Sequence, residues 1–264
     1  MKVAGKVCVV TGAASGIGKA LARRFSAEGA RGVVCADLNA ADAGTVAAEL
    51  DGLAVRCDVS RQADLEALVG ATLERYGALD VFCSNAGIIE RKGLEATLED
   101  WRRTMDVNFM AHVHAARAVV PVMLKQGGGY IVATASAAGL LMQVDSATYT
   151  VSKHAAVAFA EWLSVNYAER GIRVSCLCPQ GVRTPMLLGP EGNRLSFLSE
   201  GSVSAEEVAT RVLEAMEAER FLVLPHPEVA EYERRRATDR DRWLAGMRRM
   251  RAAILADPAL RGDD

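Results

Sequence analysis

The chain has 264 residues, 50% hydrophobic and 24% charged, an ordinary globular mix with room for one large α/β domain and a substantial core. A formal net charge of -2 gives no basis for attraction to nucleic acid or to an acidic membrane surface. No stretch resembles a signal peptide, and no apolar run looks long enough to span a bilayer, so a cytoplasmic location is expected.

Lys6–Thr11 is a run of β-branched and apolar residues with no polar face, which predicts a strand buried on both sides of a parallel sheet. It enters Thr11-Gly12-Ala13-Ala14-Ser15-Gly16-Ile17-Gly18 and then an amphipathic segment to Glu28. Strand, glycine turn and helix in succession offer backbone N–H groups and a helix N-terminus to a pyrophosphate. The spacing is Gly-x-x-x-Gly-x-Gly, not the Gly-x-Gly-x-x-Gly of the usual dinucleotide fingerprint. A second strand ends at Ala36, and Asp37 follows nineteen residues after Gly18. A carboxylate there can accept both hydrogen bonds of an adenosine ribose diol and would repel a 2′-phosphate, which points to NAD(H). Capping a helix from Asn39 is the other reading of Asp37.

Further strand-like runs at Leu53–Arg56, Val81–Cys83, Tyr130–Ala133, Val174–Leu177 and Phe221–Leu224 alternate with helical patterns. The longest helical stretches are Leu98–Lys125 and Ala147–Arg170. This alternation predicts an α/β fold, a doubly wound parallel sheet of about seven strands with helices on both faces. With no repeat or low-complexity linker, residues 1–264 read as one domain, and residues 226–264 as its helical extension. In that arginine-rich tail Trp243, Met247, Met250 and Ile254 recur at helical spacing, giving one apolar face. Packing within or between subunits is the first reading of that face, and a membrane-surface helix the second.

Cys8, Cys35, Cys57, Cys83, Cys176 and Cys178 all fall in predicted buried strands, where free cysteine behaves as a small hydrophobe. That fits a reducing compartment. Cys176 and Cys178 would share one strand face, but no His or Cys accompanies them at metal-ligand spacing, so no metal site is expected.

Tyr149-Thr-Val-Ser-Lys153 places a phenol and an ammonium on one helical face. A free tyrosine, with a pKa of about 10, is a poor base at neutral pH. A neighbouring cation favours the phenolate.

Thr11 to Gly18 taken with Tyr149 and Lys153 resembles the short-chain dehydrogenase/reductase family, a likeness that extends to about Met186. Asn85-Ala86-Gly87 is similar to the family's Asn-Ala-Gly element, which stabilises the sheet and borders the cofactor. Asn108 matches the asparagine of its catalytic tetrad, and Ser136, thirteen residues before Tyr149, its catalytic serine. The resemblance implies a Rossmann-like sheet ordered 3-2-1-4-5-6-7 and hydride exchange between nicotinamide and a secondary alcohol or ketone. In that scheme Tyr149 is the acid/base and Lys153 tunes it and holds the nicotinamide ribose. Ser136 orients the reacting oxygen, and Asn108 kinks its helix and supports a water relay.

For the cofactor, the resemblance implies Gly12, Ser15, Gly16, Ile17 and Gly18 at the phosphates and Asp37 and Leu38 at the adenosine ribose. Members that prefer NADP place a cation where this chain has Ser15 or Leu38. Asp58 and Val59 are expected at the adenine, with helix capping by Asp58 or Ser60 as the alternative. Pro179, Gly181, Val182 and Thr184 resemble the loop that holds the carboxamide, in which Gln180 replaces a common glycine. Gln143 and Gln180, with Ser136 and Tyr149, are the expected substrate contacts.

An apolar lid over Leu187–Ser202, carrying Leu187, Leu188, Leu195, Phe197 and Leu198, favours a neutral or lipophilic substrate. Family helices pair across a two-fold axis, so a homodimer or homotetramer is implied. The small residues Ala115, Ala118, Ala155 and Ala158 suit that pairing and internal packing alike. A catalytically silent dinucleotide sensor, or a scaffold whose tail recruits another protein, is the competing reading of the same fold.

Overall fold

The computed structural model describes residues 1–189 and 196–256. The expected apolar runs form the strands β1 (Val7–Thr11), β2 (Gly32–Asp37), β3 (Leu53–Arg56), β4 (Val81–Ser84), β5 (Gly129–Thr134) and β6 (Ile172–Leu177). Two short strands follow, β7 (Val182–Arg183) and β8 (Val203–Ser204), and then β9 (Leu222–Val223). The main sheet is ordered β3-β2-β1-β4-β5-β6-β9 and every pairing in it is parallel, the topology the sequence led us to expect.

The period of two along each strand divides the core. Val9 faces one side with Leu65, Val119, Ile131 and Leu163. Its neighbours Cys8 and Val10 face the other with Leu21, Phe25, Val212 and Met216. The helices behind the first face are α3 (Gln62–Tyr76), α5 (Ala111–Lys125) and α6 (Ala147–Tyr167). Those behind the second are α1 (Gly16–Ala27), α2 (Ala40–Glu49) and α9 (Ala205–Glu217). Strand order reverses between β1 and β4. Connections there leave in opposite directions, and a crevice opens beyond the C-terminal strand ends.

The long stretch Leu98–Lys125 is helical throughout but not uniform. α4 (Leu98–Met105) passes through a π-helical turn, Asp106–Met110, into α5. Contrary to expectation, this stretch is long and apolar enough to cross a membrane by length and composition, holding an 18-residue window of mean hydropathy 1.3. Its apolar residues Ala111, Ala115, Val119 and Met123 are committed to the core. Cys57 and Cys178 also depart from expectation, lying one residue past β3 and β6. All six thiols are free and buried.

The remaining helices are α7 (Pro185–Leu188), α8 (Ser196–Ser199), α10 (Glu228–Thr238) and α11 (Arg240–Ala256). Asp239 breaks the tail between α10 and α11, and its carboxylate starts α11 by accepting from Arg242 N–H at 2.9 Å. Tyr232 and Trp243 pack the tail against the first core.

Candidate active site

The nucleotide end is built where β1, β4 and β5 finish. Thr11 Oγ1 accepts from the N–H groups of Asn85 (2.9 Å) and Ala86 (3.2 Å) and donates to the Cys83 carbonyl. Asn85 Nδ2 donates back to the Thr11 carbonyl, and Thr134 Oγ1 donates to Asn85 Oδ1 at 3.1 Å. One asparagine thus ties three strand ends together, as the resemblance implied.

The turn from Gly12 folds tightly against this junction. A Cβ on Gly18 would lie 2.0 Å from the Gly12 carbonyl oxygen, so only glycine lets α1 approach the turn. Gly12, Ser15, Gly16 and Ile17 line the cavity, whereas Gly18 does not. Gly18 is a packing residue here, set behind the groups that line the cavity. Ser15 caps α1 in position only, since its side chain bonds none of the first-turn N–H groups. Those groups have no intrahelical acceptor and suit a phosphate.

Asp37 is no helix cap. Asn39 caps α2, accepting from Asp42 N–H, while Asp37 Oδ2 accepts from Ala14 N–H and Oδ1 from Asn39 N–H, both at 3.0 Å. Its carboxylate braces the glycine turn and still lines the cavity beside an exposed Leu38. Asp58 Oδ1 accepts from the N–H and hydroxyl of Ser60, and α3 begins at Gln62 without a side-chain cap from either. Asp58 and Val59 complete this end.

At the other end α6 carries Tyr149 and Lys153, both lining the cavity with Ser136. Lys153 Nζ donates to the Thr134 carbonyl at 2.9 Å and lies 5.7 Å from the Tyr149 ring centroid. Burial pushes Lys153 down to about 8, because a desolvated ammonium is disfavoured. Burial also pushes Tyr149 above its ordinary value, partly offset by a hydrogen bond to Ser136. The expected lowering of the phenol by Lys153 is not among the causes of this shift. Ser136 Oγ accepts from Ala138 N–H at 3.1 Å, so it caps a short turn and faces the cavity at once.

Asn108 is fully buried behind the cavity lining, on the π-helical turn that interrupts its helix. Its Oδ1 accepts from Ile88 N–H at 2.9 Å, and its Nδ2 donates to the Ile88 carbonyl and to Ser152 Oγ. From the π-helical turn it fixes the strand-end loop to α6. A Cβ on Gly87 would lie 3.3 Å from Asn108 Oδ1 and 3.4 Å from Lys153 Nζ, so this glycine leaves a small polar gap between the two.

Pro179, Gln180, Gly181, Val182 and Thr184 line the same cavity, as does Gln143. Gln180 N–H donates to His226 Nδ1 at 3.1 Å. This contact was not anticipated, and a lone histidine 46 residues away gives no sequence signal for it. The whole space measures about 900 Å³. Leu187 and Leu198 border it, while Leu188 is exposed. Leu195 lies outside the described residues, and so does the side chain of Phe197. The tail also reaches the cavity, through Tyr232, Arg235, Trp243, Met247 and Met250. Its apolar spacing was legible, but the surface it covers was not.

A family model described as short chain dehydrogenase matches residues 6–190. The 1-deoxy-11-beta-hydroxypentalenate dehydrogenase of Streptomyces exfoliatus is 40% identical over 232 residues, 84% of each chain. The mitochondrial borneol dehydrogenase of Lavandula x intermedia is 37% identical over 221 residues, 80% of this chain and 83% of its own. Among solved structures, a short chain dehydrogenase/reductase from Burkholderia phymatum in complex with NAD superimposes with a TM-score of 0.83 at 32% identity. That match covers 91% of this chain and 96% of the other.

Proposed function

Because the chain belongs to the short-chain dehydrogenase family, whose members bind a nicotinamide dinucleotide, we propose that it is an NAD(H)-dependent oxidoreductase acting on a secondary alcohol or its ketone. The observation that carries this reading is one cavity lined by both the glycine turn with Asp37 and the Ser136–Tyr149–Lys153 group. When bound, the dinucleotide supplies or accepts the hydride. Asp37 would hold the adenosine ribose, the first-turn N–H groups of α1 the phosphates, and Val182 and Thr184 the carboxamide.

Tyr149 Oη takes the alcohol proton during oxidation and returns it during reduction. Ser136 holds the reacting oxygen within reach of that phenol. Lys153, anchored on the Thr134 carbonyl, binds the nicotinamide ribose and places a cation beside the phenolate. A positive nicotinamide ring adds to its effect, which opposes the burial that raises Tyr149. Asn108 acts through Ile88 and Ser152, keeping the strand-end loop and the catalytic helix in register.

The substrate is taken to be neutral or lipophilic, in keeping with the apolar lining from Leu141, Met142, Met186 and Leu187 and with relatives named for borneol and hydroxypentalenate. We place the chain as one domain in the cytoplasm, where its six buried thiols would stay reduced. Assembly as a homodimer or homotetramer is supported by an apolar stripe on α6, where Val151, Trp162 and Val165 are exposed along with Ala158. Ala115 and Ala118 instead serve the internal core.

The deciding experiment is turnover of an alcohol and ketone panel with NAD⁺, NADH and their phosphorylated counterparts. Turnover with NAD(H) in preference to NADP(H) is expected. Dinucleotide binding without turnover across the panel would overturn the enzyme reading in favour of a sensor.

A further inference from the structure

We propose that the C-terminal helix α11 is the specificity wall of the substrate pocket, and that Trp243, Met247 and Met250 select a bulky alicyclic skeleton around the reacting carbon. This rests on the dehydrogenase reading of the site. The matched family region ends at residue 190, so the wall comes from a part of the chain that the family model does not describe.

Trp243, Met247 and Met250 are four and three residues apart, which puts them on one stripe of α11. All three line the cavity that Tyr149 and Ser136 also line. The stripe is registered to the catalytic machinery at two places. Arg236 Nη2 of α10 lies 3.3 Å from His154 Nε2, the residue after Lys153 on α6. At the start of the tail, His226 Nδ1 accepts from Gln180 N–H in the carboxamide loop. Tyr232 and Trp243 in turn pack on the core. Both anchors precede α11, so the chain enters that helix already tied to the catalytic helix and to the loop after β6.

Its chemistry selects for shape over charge. An indole gives a broad flat face, and two thioethers give adjustable apolar surface. Apolar side chains also reach the cavity from two other segments, Leu141 with Met142 and Met186 with Leu187. Surfaces from three separate segments suit a wide, compact body. Three arginines line the cavity, and each faces a carboxylate: Arg91 with Asp145, Arg103 with Glu90 and Arg235 with Glu231. With those cations compensated, the pocket has little to offer an anionic group on the substrate.

The test compares propan-2-ol, cyclohexanol and borneol as substrates of the wild type and of Trp243→Ala and Met250→Ala. Alongside it, calorimetry measures binding of the matching ketones to the protein–NADH complex. Met250 is partly exposed, so its truncation spares the fold, and Trp243→Phe restores a flat apolar face if the alanine variant is unstable. The wild type should prefer borneol. Truncation should lower kcat/KM for borneol at least about tenfold, mostly through KM, and leave propan-2-ol within about twofold. Trp243→Phe should recover most of the loss, and NADH affinity should not change.

Equal loss on all three alcohols, or a size preference untouched by any of the variants, overturns the wall. Ketone binding that depends on Trp243 without any turnover keeps the wall and sinks the dehydrogenase reading. Absence of any Trp243-dependent binding or turnover across the series overturns the wall as well.

Discussion

At Gly12 to Gly16 the cavity is made of backbone, and along α11 it is made of side chains. Around the glycine turn the groups offered to a ligand are N–H donors and one carboxylate, held by Thr11, Asn85 and Asp37. Along the tail the offered groups are an indole and two thioethers, which other apolar residues of similar volume could replace. Backbone recognition fixes residue types at fixed spacings, because only glycine fits where a Cβ would strike a carbonyl. Side-chain recognition leaves only a period. The same cavity is therefore rigidly specified at its nucleotide end and freely variable at its substrate end.

The largest effect should come from the specified end. Tyr149→Phe keeps the ring and deletes the oxygen that carries the proton. We expect kcat to fall by at least about 10²-fold with NADH affinity unchanged, read by steady-state kinetics and cofactor fluorescence titration. Retention of more than a few per cent of wild-type turnover would remove Tyr149 from its role.

Lys153→Met asks whether the cation matters as charge. Burial holds Lys153 at about 8, so its ammonium is present below that pH and favours the phenolate there. Burial is the main cause that pushes the Tyr149 phenol upward. Losing the ammonium removes a cation that favours the phenolate, so the acid limb of alcohol oxidation should move to higher pH and the cofactor KM should rise. A pH–rate profile at saturating NAD⁺ that superimposes on the wild type, with an unchanged cofactor KM, would refute both assignments.

The two ends also differ in how far the sequence disclosed them. The strands were legible because a sheet buried on both faces needs uninterrupted apolar runs, and Val7–Thr11 and Gly129–Thr134 have no other use. Thr11 to Gly18, Asp37 and the Tyr149–Lys153 pair were legible because their chemistry admits few substitutes. Asn108 was legible as a residue but not as a position, since its bonds to Ile88 and Ser152 span 20 and 44 residues. The balance at Tyr149 was hidden for a similar reason, because it depends on burial that only the assembled site creates. The apolar face of α11 could be read from its period, but an apolar face does not say what it covers. His226 is the extreme case, a single side chain whose partner is a backbone N–H in a distant loop.

Cofactor choice sharpens the comparison within the specified end. Asp37→Ala with Leu38→Arg removes the ribose acceptor and supplies a cation for a 2′-phosphate. Each charge-assisted bond is worth roughly 1.5–3 kcal/mol, and about 1.4 kcal/mol is tenfold. The ratio of kcat/KM for NAD⁺ over NADP⁺ should fall by at least about tenfold. The ratio is the quantity to measure, because Asp37 also braces Ala14 and Asn39 and its loss would weaken both reactions. A wild type that already favours NADP⁺ would sink the assignment of Asp37.

The smallest effect separates the two ends by the same substitution, glycine to alanine. In Gly18→Ala the new methyl would meet the Gly12 carbonyl oxygen at 2.0 Å and Asn85 Nδ2 at 2.8 Å. Backbone must move, so we expect a loss of about 1–3 kcal/mol of stability together with weaker dinucleotide binding. Gly246 lies inside α11, and the nearest atom to an added Cβ there is the flexible end of Arg249 at 3.8 Å. With no clash to offset, alanine should gain its helical advantage of about 0.5–1 kcal/mol, a rise of about 1–4 °C in Tm for a chain of this size. Thermal melts of both variants, with and without NADH, check the pair. If Gly246→Ala destabilises the protein as Gly18→Ala does, the tail is packed as tightly as the glycine turn, and the contrast between the two ends fails.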